Sequence, residues 1–148
     1  MVVKFNASGG YQWSQQSAGA GNWEDGFNAV TVDDVGNIYV TGYSDEGATN
    51  KDYVTIKYLA DGSLAWKSHY SGLGSDDDDA AADIAIDPSG NVFVTGSSAG
   101  YSSTYWTDFA TIKYNAAGDT LWTARLGGSG MPNDRATALA VDEKATLS

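Results

Sequence analysis

The chain has no cysteine, a single histidine and only 2 prolines, and its 8 lysines and arginines are outnumbered by 19 aspartates and glutamates. Without cysteine there are no disulfides, no thiolate metal sites and no thiol nucleophile, and the redox compartment stays open. The lone histidine, His69, makes neither a two-histidine zinc site nor a triad with any obvious serine. A net charge of −11 repels phosphate backbones and anionic lipid heads, so nucleic acid is not an expected partner. No apolar run has the length of a membrane-crossing helix, so no membrane insertion is expected, and the opening Met1 to Asn6 does not read as a secretory signal. The helix formers Leu, Glu, Lys and Arg are scarce as well.

What the chain does have is glycine, 18 residues, together with Tyr, Trp, Thr and Val, which is the composition of many short strands joined by tight turns. With 148 residues, 42% of them apolar, it can bury a core. Self-comparison then reveals a repeat. Gly9 and Trp13, Gly62 and Trp66, and Gly118 and Trp122 share one spacing, and Phe5, Tyr58 and Tyr114 precede the tryptophan by one further shared spacing. A second element, Val30 to Gly42 with Asp33, Gly36 and Asn37 inside it, returns as Ile84 to Gly96 with Asp87, Gly90 and Asn91. A third copy starts at Leu139 to Asp142 and loses the pattern from Glu143 onward.

Between the turn signals, one unit reads as strands at Asp83 to Asp87, Asn91 to Ser97, Phe109 to Tyr114 and Thr120 to Leu126. Four short strands per unit make a propeller blade. The strands carry large side chains on both faces, as blades covered by neighbours on both sides require. The expected fold is therefore all-β: β-propeller blades of four antiparallel strands, about two complete blades with a partial blade at each end, forming an incomplete ring. The expected divisions are a partial blade at 1–16, blades at 25–70 and 79–126, and a partial blade at 134–148.

Asn91 to Ser97, Asp108 to Asn115 and Gly118 to Trp122, with the matching Asn37 to Tyr43 and Asp52 to Trp66, resemble the bacterial SBBP-type β-propeller repeat. The resemblance implies a propeller architecture and an extracellular or cell-surface setting for the parent protein, and it implies no catalytic residues.

Antiparallel strands send alternate connections to opposite ends of a blade. The short turns share one end, and the longer, unrepeated connections share the other, where binding on a rigid scaffold is expected. The candidate binding residues at that end are Trp23, Glu24, Asp25, Tyr43, Asp79, Tyr101, Tyr105, Trp106 and Asp134. Aromatic rings beside carboxylates suit a glycan or a protein ligand; the plainer alternative is a solvated loop face with Trp23 and Trp106 folded over blade edges. The run Asp76, Asp77, Asp78 and Asp79 is a candidate Ca²⁺ site and equally a solvated charge cluster; no other cofactor is indicated. Asp25, Asp79 and Asp134 recur in register before the innermost strand, as turn residues or caps would. The competing functional class is a propeller glycoside hydrolase or lyase using such channel-mouth carboxylates.

Lys4, Lys57 and Lys113 read as packed stems, and Trp13, Trp66 and Trp122 as outer-strand packing residues. So few blades leave open faces of largely apolar surface. The expected partners are further blades, from the same longer polypeptide or from a second copy of the chain.

Overall fold

The computed structural model describes residues 1–16, 25–45, 51–73, 78–100, 107–127 and 133–142. Among these it is entirely β. The strands are β1 (Val2–Phe5), β2 (Tyr11–Gln15), β3 (Gly26–Val32), β4 (Ile38–Asp45), β5 (Lys51–Tyr58), β6 (Leu64–Tyr70), β7 (Ala80–Ile86), β8 (Val92–Ala99), β9 (Thr107–Tyr114) and β10 (Thr120–Leu126). They form two four-stranded antiparallel meanders, β3-β4-β5-β6 and β7-β8-β9-β10, and a two-stranded sheet, β1-β2. This is the expected arrangement of two blades and the outer half of a preceding one.

The hairpins at one end follow from their turn residues. In the turn after β3, Asp33 Oδ1 accepts from the backbone N–H of Val35 and Asn37, while Oδ2 accepts from the Asn37 amide and the Tyr39 hydroxyl. Asp87 repeats the pattern with Ser89 and Asn91. Desolvation pulls these two carboxyls upward, but the hydrogen bonds outweigh it and hold both below the usual aspartate value.

Each blade carries two bulges at matching places. One lies in the inner strand, at the register shifts Phe27/Ala29 and Ala81/Asp83; the other lies in the outer strand, just before Trp66 and Trp122. The inner bulge pushes backbone against the second strand, which explains Gly42 and Gly96. A Cβ at Gly42 would run into the Gly26 carbonyl, and one at Gly96 into the Ala80 carbonyl. The outer bulge sets each tryptophan opposite a lysine, in the pairs Lys57 with Trp66 and Lys113 with Trp122.

The core lies between blades. One cluster joins Tyr39 and Tyr53 of the first meander to Ala81, Ile84, Val92, Val94, Ala110, Ile112 and Tyr114 of the second. The other packs Val2 and Trp13 of the half-blade onto Ile38, Val40, Val54, Ile56 and Tyr58. Strands buried on both sides are why their sequences show no polar/apolar alternation.

The most regular inter-blade device is a clasp. Trp13 of β2 lies over the turn between β5 and β6, where a Cβ at Gly62 would sit 2.8 Å from its ring; its Nε1 donates to the Ala60 carbonyl at 3.2 Å. Trp66 of β6 repeats this on the turn between β9 and β10, with Gly118 at 2.7 Å and Ala116 at 3.1 Å. Each ring also lies 6.0 Å from the tyrosine that ends the next blade's third strand, Tyr58 and Tyr114 respectively. Lys4 Nζ donates to the Ala60 carbonyl as well.

Residues 133–142 follow the second blade without forming a ladder. Asn133 makes one parallel bridge to Thr107, and the Leu139 N–H donates to Asp83 Oδ2. In each complete blade the inner strand takes its ladder bonds from the second strand, β4 or β8, and among the described residues no such strand stands beside 133–142.

Candidate binding face

At the end opposite the short turns, ladder pairs run to the edges of the long connections: Asp45 opposite Lys51, and Ala99 opposite Thr107. Between these strand ends lies an open groove of about 460 Å³ lined by Tyr43, Lys51, Asp78, Ala80, Ser97, Thr107, Asn133 and Arg135. Its walls come from β4 and β5 of one blade, β7, β8 and β9 of the next, and the segment after β10.

Tyr43 is closely packed. A Cβ on Gly26 would fall 2.7 Å from its ring, so glycine there makes room for the ring against β3, and Lys51 Nζ sits over the ring 4.6 Å from its centroid. Asp78 Oδ1 accepts from the Lys51 N–H at 3.2 Å, while Asn133 Oδ1 accepts from both the N–H and the hydroxyl of Thr107. The groove thus brings an ammonium, a guanidinium, a carboxylate, hydroxyls and an amide together with the apolar surface of Tyr43 and Ala80.

The recurring aspartates sit at the blade junctions. The Asp79 N–H donates to the Lys51 carbonyl at 2.6 Å, and the Asp134 N–H to the Thr107 carbonyl at 2.7 Å, the matching place one blade on. The Asp79 carboxylate is turned inward, with 1% of the residue exposed: Oδ2 accepts from Gly72 N–H and Oδ1 from Ala99 N–H. Desolvation raises its carboxyl above the usual aspartate value, against the hydrogen bonds of Ser98, Gly72 and Ala99. Asp25 Oδ1 likewise accepts from Asp45 N–H. These contacts tie the connection entering each blade to the second strand of that blade. Arg125 reinforces the same end from β10, donating to the Ser98 hydroxyl and to the Ser98 and Ala99 carbonyls, with Asp108 at 3.6 Å.

Of the residues expected at this face, the structure brings Tyr43 to the groove, with Asp78 from the proposed calcium run, and places Asp25, Asp79 and Asp134 at the junctions. Trp23, Glu24, Tyr101, Tyr105, Trp106, Asp76 and Asp77 lie outside the described residues. Among the described residues, no three metal-ligating side chains cluster. Sequence reasoning missed Lys51, Ser97, Thr107, Asn133 and Arg135. Their common signal is position: each lies beside the border between a repeated strand and an unrepeated connection.

Residues 12–47 and 67–102 match the family described as SBBP, a beta-propeller repeat. The chain carries SBBP β-propeller repeats. No curated protein matches it. Each SBBP match starts in the outer strand of one sheet, within one residue of its tryptophan, and runs through the second strand of the next: β2 to β4 in the first, β6 to β8 in the second. The SBBP unit therefore straddles the blade junction, and contains both Asp25 and Asp79 with the strand ends they hold together. Within the SBBP matches lie the junction residues and four of the residues that line the groove, Tyr43, Asp78, Ala80 and Ser97.

Proposed function

We propose that this β-propeller module is a non-catalytic binding unit of a secreted or surface protein, and that its ligand is a saccharide carrying carboxylate groups. The groove at the long-connection end carries this reading. It mixes polar and apolar lining, takes residues from three successive repeats, and holds Lys51 and Arg135, two of only 8 basic residues in a chain of net charge −11. Hydroxyl and amide groups on Ser97, Thr107 and Asn133 suit the hydroxyls of a sugar, and the two cations suit its carboxylate through charge-assisted hydrogen bonds. Tyr43 is packed against Gly26 and Lys51, so it serves as a wall and leaves recognition to the polar groups.

Titration calorimetry with oligogalacturonate and with a neutral malto-oligosaccharide of equal length tests the reading. The acidic oligomer is expected to bind, the neutral one to bind more weakly, and the K51A/R135A double variant to lose roughly tenfold in affinity for the acidic one, the scale of one charge-assisted hydrogen bond. Equal affinity for both oligomers, or binding unaffected by the double substitution, would refute it. Release of shortened products by the wild-type chain would move the protein to the hydrolase or lyase class.

A further inference from the structure

Among the described residues the clasp between blades is made twice, and one half of it stands open on β10 and the other half on the turn between β1 and β2. Trp122 holds the same place on β10 that Trp66 holds on β6 and Trp13 on β2. Its own-blade contact is complete, with Phe93 6.0 Å away as Tyr39 is 6.2 Å from Trp66. Among the described residues no turn of a following blade meets it, and Trp122 is 43% exposed. The strand around it records the same difference: Trp66, Lys67 and Ser68 are half-buried, whereas Trp122, Thr123 and Ala124 are exposed.

At the opposite end of the molecule the receiving half stands open. The turn between β1 and β2 repeats the two turns that tryptophans occupy: Ala7 corresponds to Ala60 and Ala116, and Gly9 to Gly62 and Gly118. Gly9 has φ +82, like its counterparts at +90 and +91, but no atom lies within 4 Å of where its Cβ would be. Phe5, in the place of Tyr58 and Tyr114, is 59% exposed. The half-blade also leaves a cavity of about 300 Å³ between β1 and β3, lined by Val2, Val3, Phe27, Ala29, Val30 and Val40 among others. This is the side on which the inner strands of a complete blade would stand.

We infer that two copies of this chain join head to tail, Trp122 of one copy closing over Phe5, Ala7 and Gly9 of the other. The ring stacks on Phe5 as Trp66 stacks on Tyr114, and its Nε1 donates to the Ala7 carbonyl as Trp66 Nε1 does to Ala116. Because the two surfaces differ, the contact is heterologous; it closes into a ring when the rotation allows and otherwise extends into an array. The contact rests on the blade stack alone and does not depend on what the groove binds.

Sedimentation velocity across a dilution series tests it. The wild type is expected to associate, with a mass of at least twice 15.5 kDa at high concentration. W122A removes an exposed knob and is expected to weaken association about tenfold or more. G9N keeps the left-handed turn, which asparagine tolerates, while filling the socket, and is expected to weaken association comparably. A mixture of W122A and G9N has one intact junction per pair and is expected to associate more strongly than either variant alone. A wild type that stays monomeric at every concentration would overturn the inference. So would association that W122A abolishes and G9N leaves intact, since that pattern belongs to a tryptophan-on-tryptophan contact.

Discussion

Asp79 shows how a residue that looks functional in sequence can be explained by what it holds. An aspartate recurring at the mouth of a propeller channel invites a catalytic reading, yet both of its oxygens accept backbone N–H groups, from Gly72 and Ala99, and the residue is buried. Removing it strands the buried Ala99 N–H and the part-buried Gly72 N–H. D79A is therefore expected to lower the free energy of unfolding by about 2 to 3 kcal/mol, the cost of leaving buried donors unsatisfied. The neighbouring Asp78 is exposed and accepts one N–H from Lys51, so D78A is expected to cost no more than about 0.5 kcal/mol. Urea unfolding of the two variants measures the difference. Comparable losses would mean that Asp79 does not hold the junction.

Among the elements, the bulged inner strand departs most from what the sequence suggests. The repeat predicts an inner strand at Asp83 to Asp87, whereas β7 runs from Ala80 to Ile86. The bulge at Ala81/Asp83 breaks the side-chain alternation that would otherwise mark the strand, so its first residues look like loop. Strands β8 and β9 are longer than expected for a related reason. The pairs Ser98 with Asp108 and Ala99 with Thr107 continue the ladder through polar residues that composition assigns to a connection. What was legible is the hairpin chemistry, because Asp33 and Asp87 with their glycines and asparagines specify a turn locally. What was not legible is the groove: Lys51, Ser97, Thr107, Asn133 and Arg135 are brought together by the stacking of successive blades, which no local pattern encodes. The bulge makes its own prediction. In G96A the new methyl meets the Ala80 carbonyl, the Ala81 Cα and the Tyr53 hydroxyl, and the two backbone atoms among these cannot withdraw without disturbing the β7-β8 pairing. Unfolding is expected to become easier by about 1 to 3 kcal/mol, the range for overpacking, and a thermal melt unchanged from wild type would show that the inner bulge is looser than described.

At the scale of the whole molecule, stability comes from blade-to-blade contact, as in other architectures in which each repeat touches only its neighbours. The SBBP repeat is phased across that contact: one matched unit carries the outer strand of one blade and the inner strands of the next, so each unit holds a whole junction. The phase also explains why the periodic tryptophan is the clearest signal in the chain and yet has unequal work to do along it. Trp66 has a turn to close over, at Ala116 and Gly118; among the described residues, Trp122 has its own blade's Phe93 alone. The most direct test of the clasp compares W66A with W122A by urea unfolding, at a dilution where each chain is alone. W66A is expected to lose about 3 to 5 kcal/mol, as truncation of a packed tryptophan does, and W122A less than about 1 kcal/mol, as an exposed substitution does. Equal losses at the two positions would contradict the account, because they would place the tryptophan's contribution within its own blade.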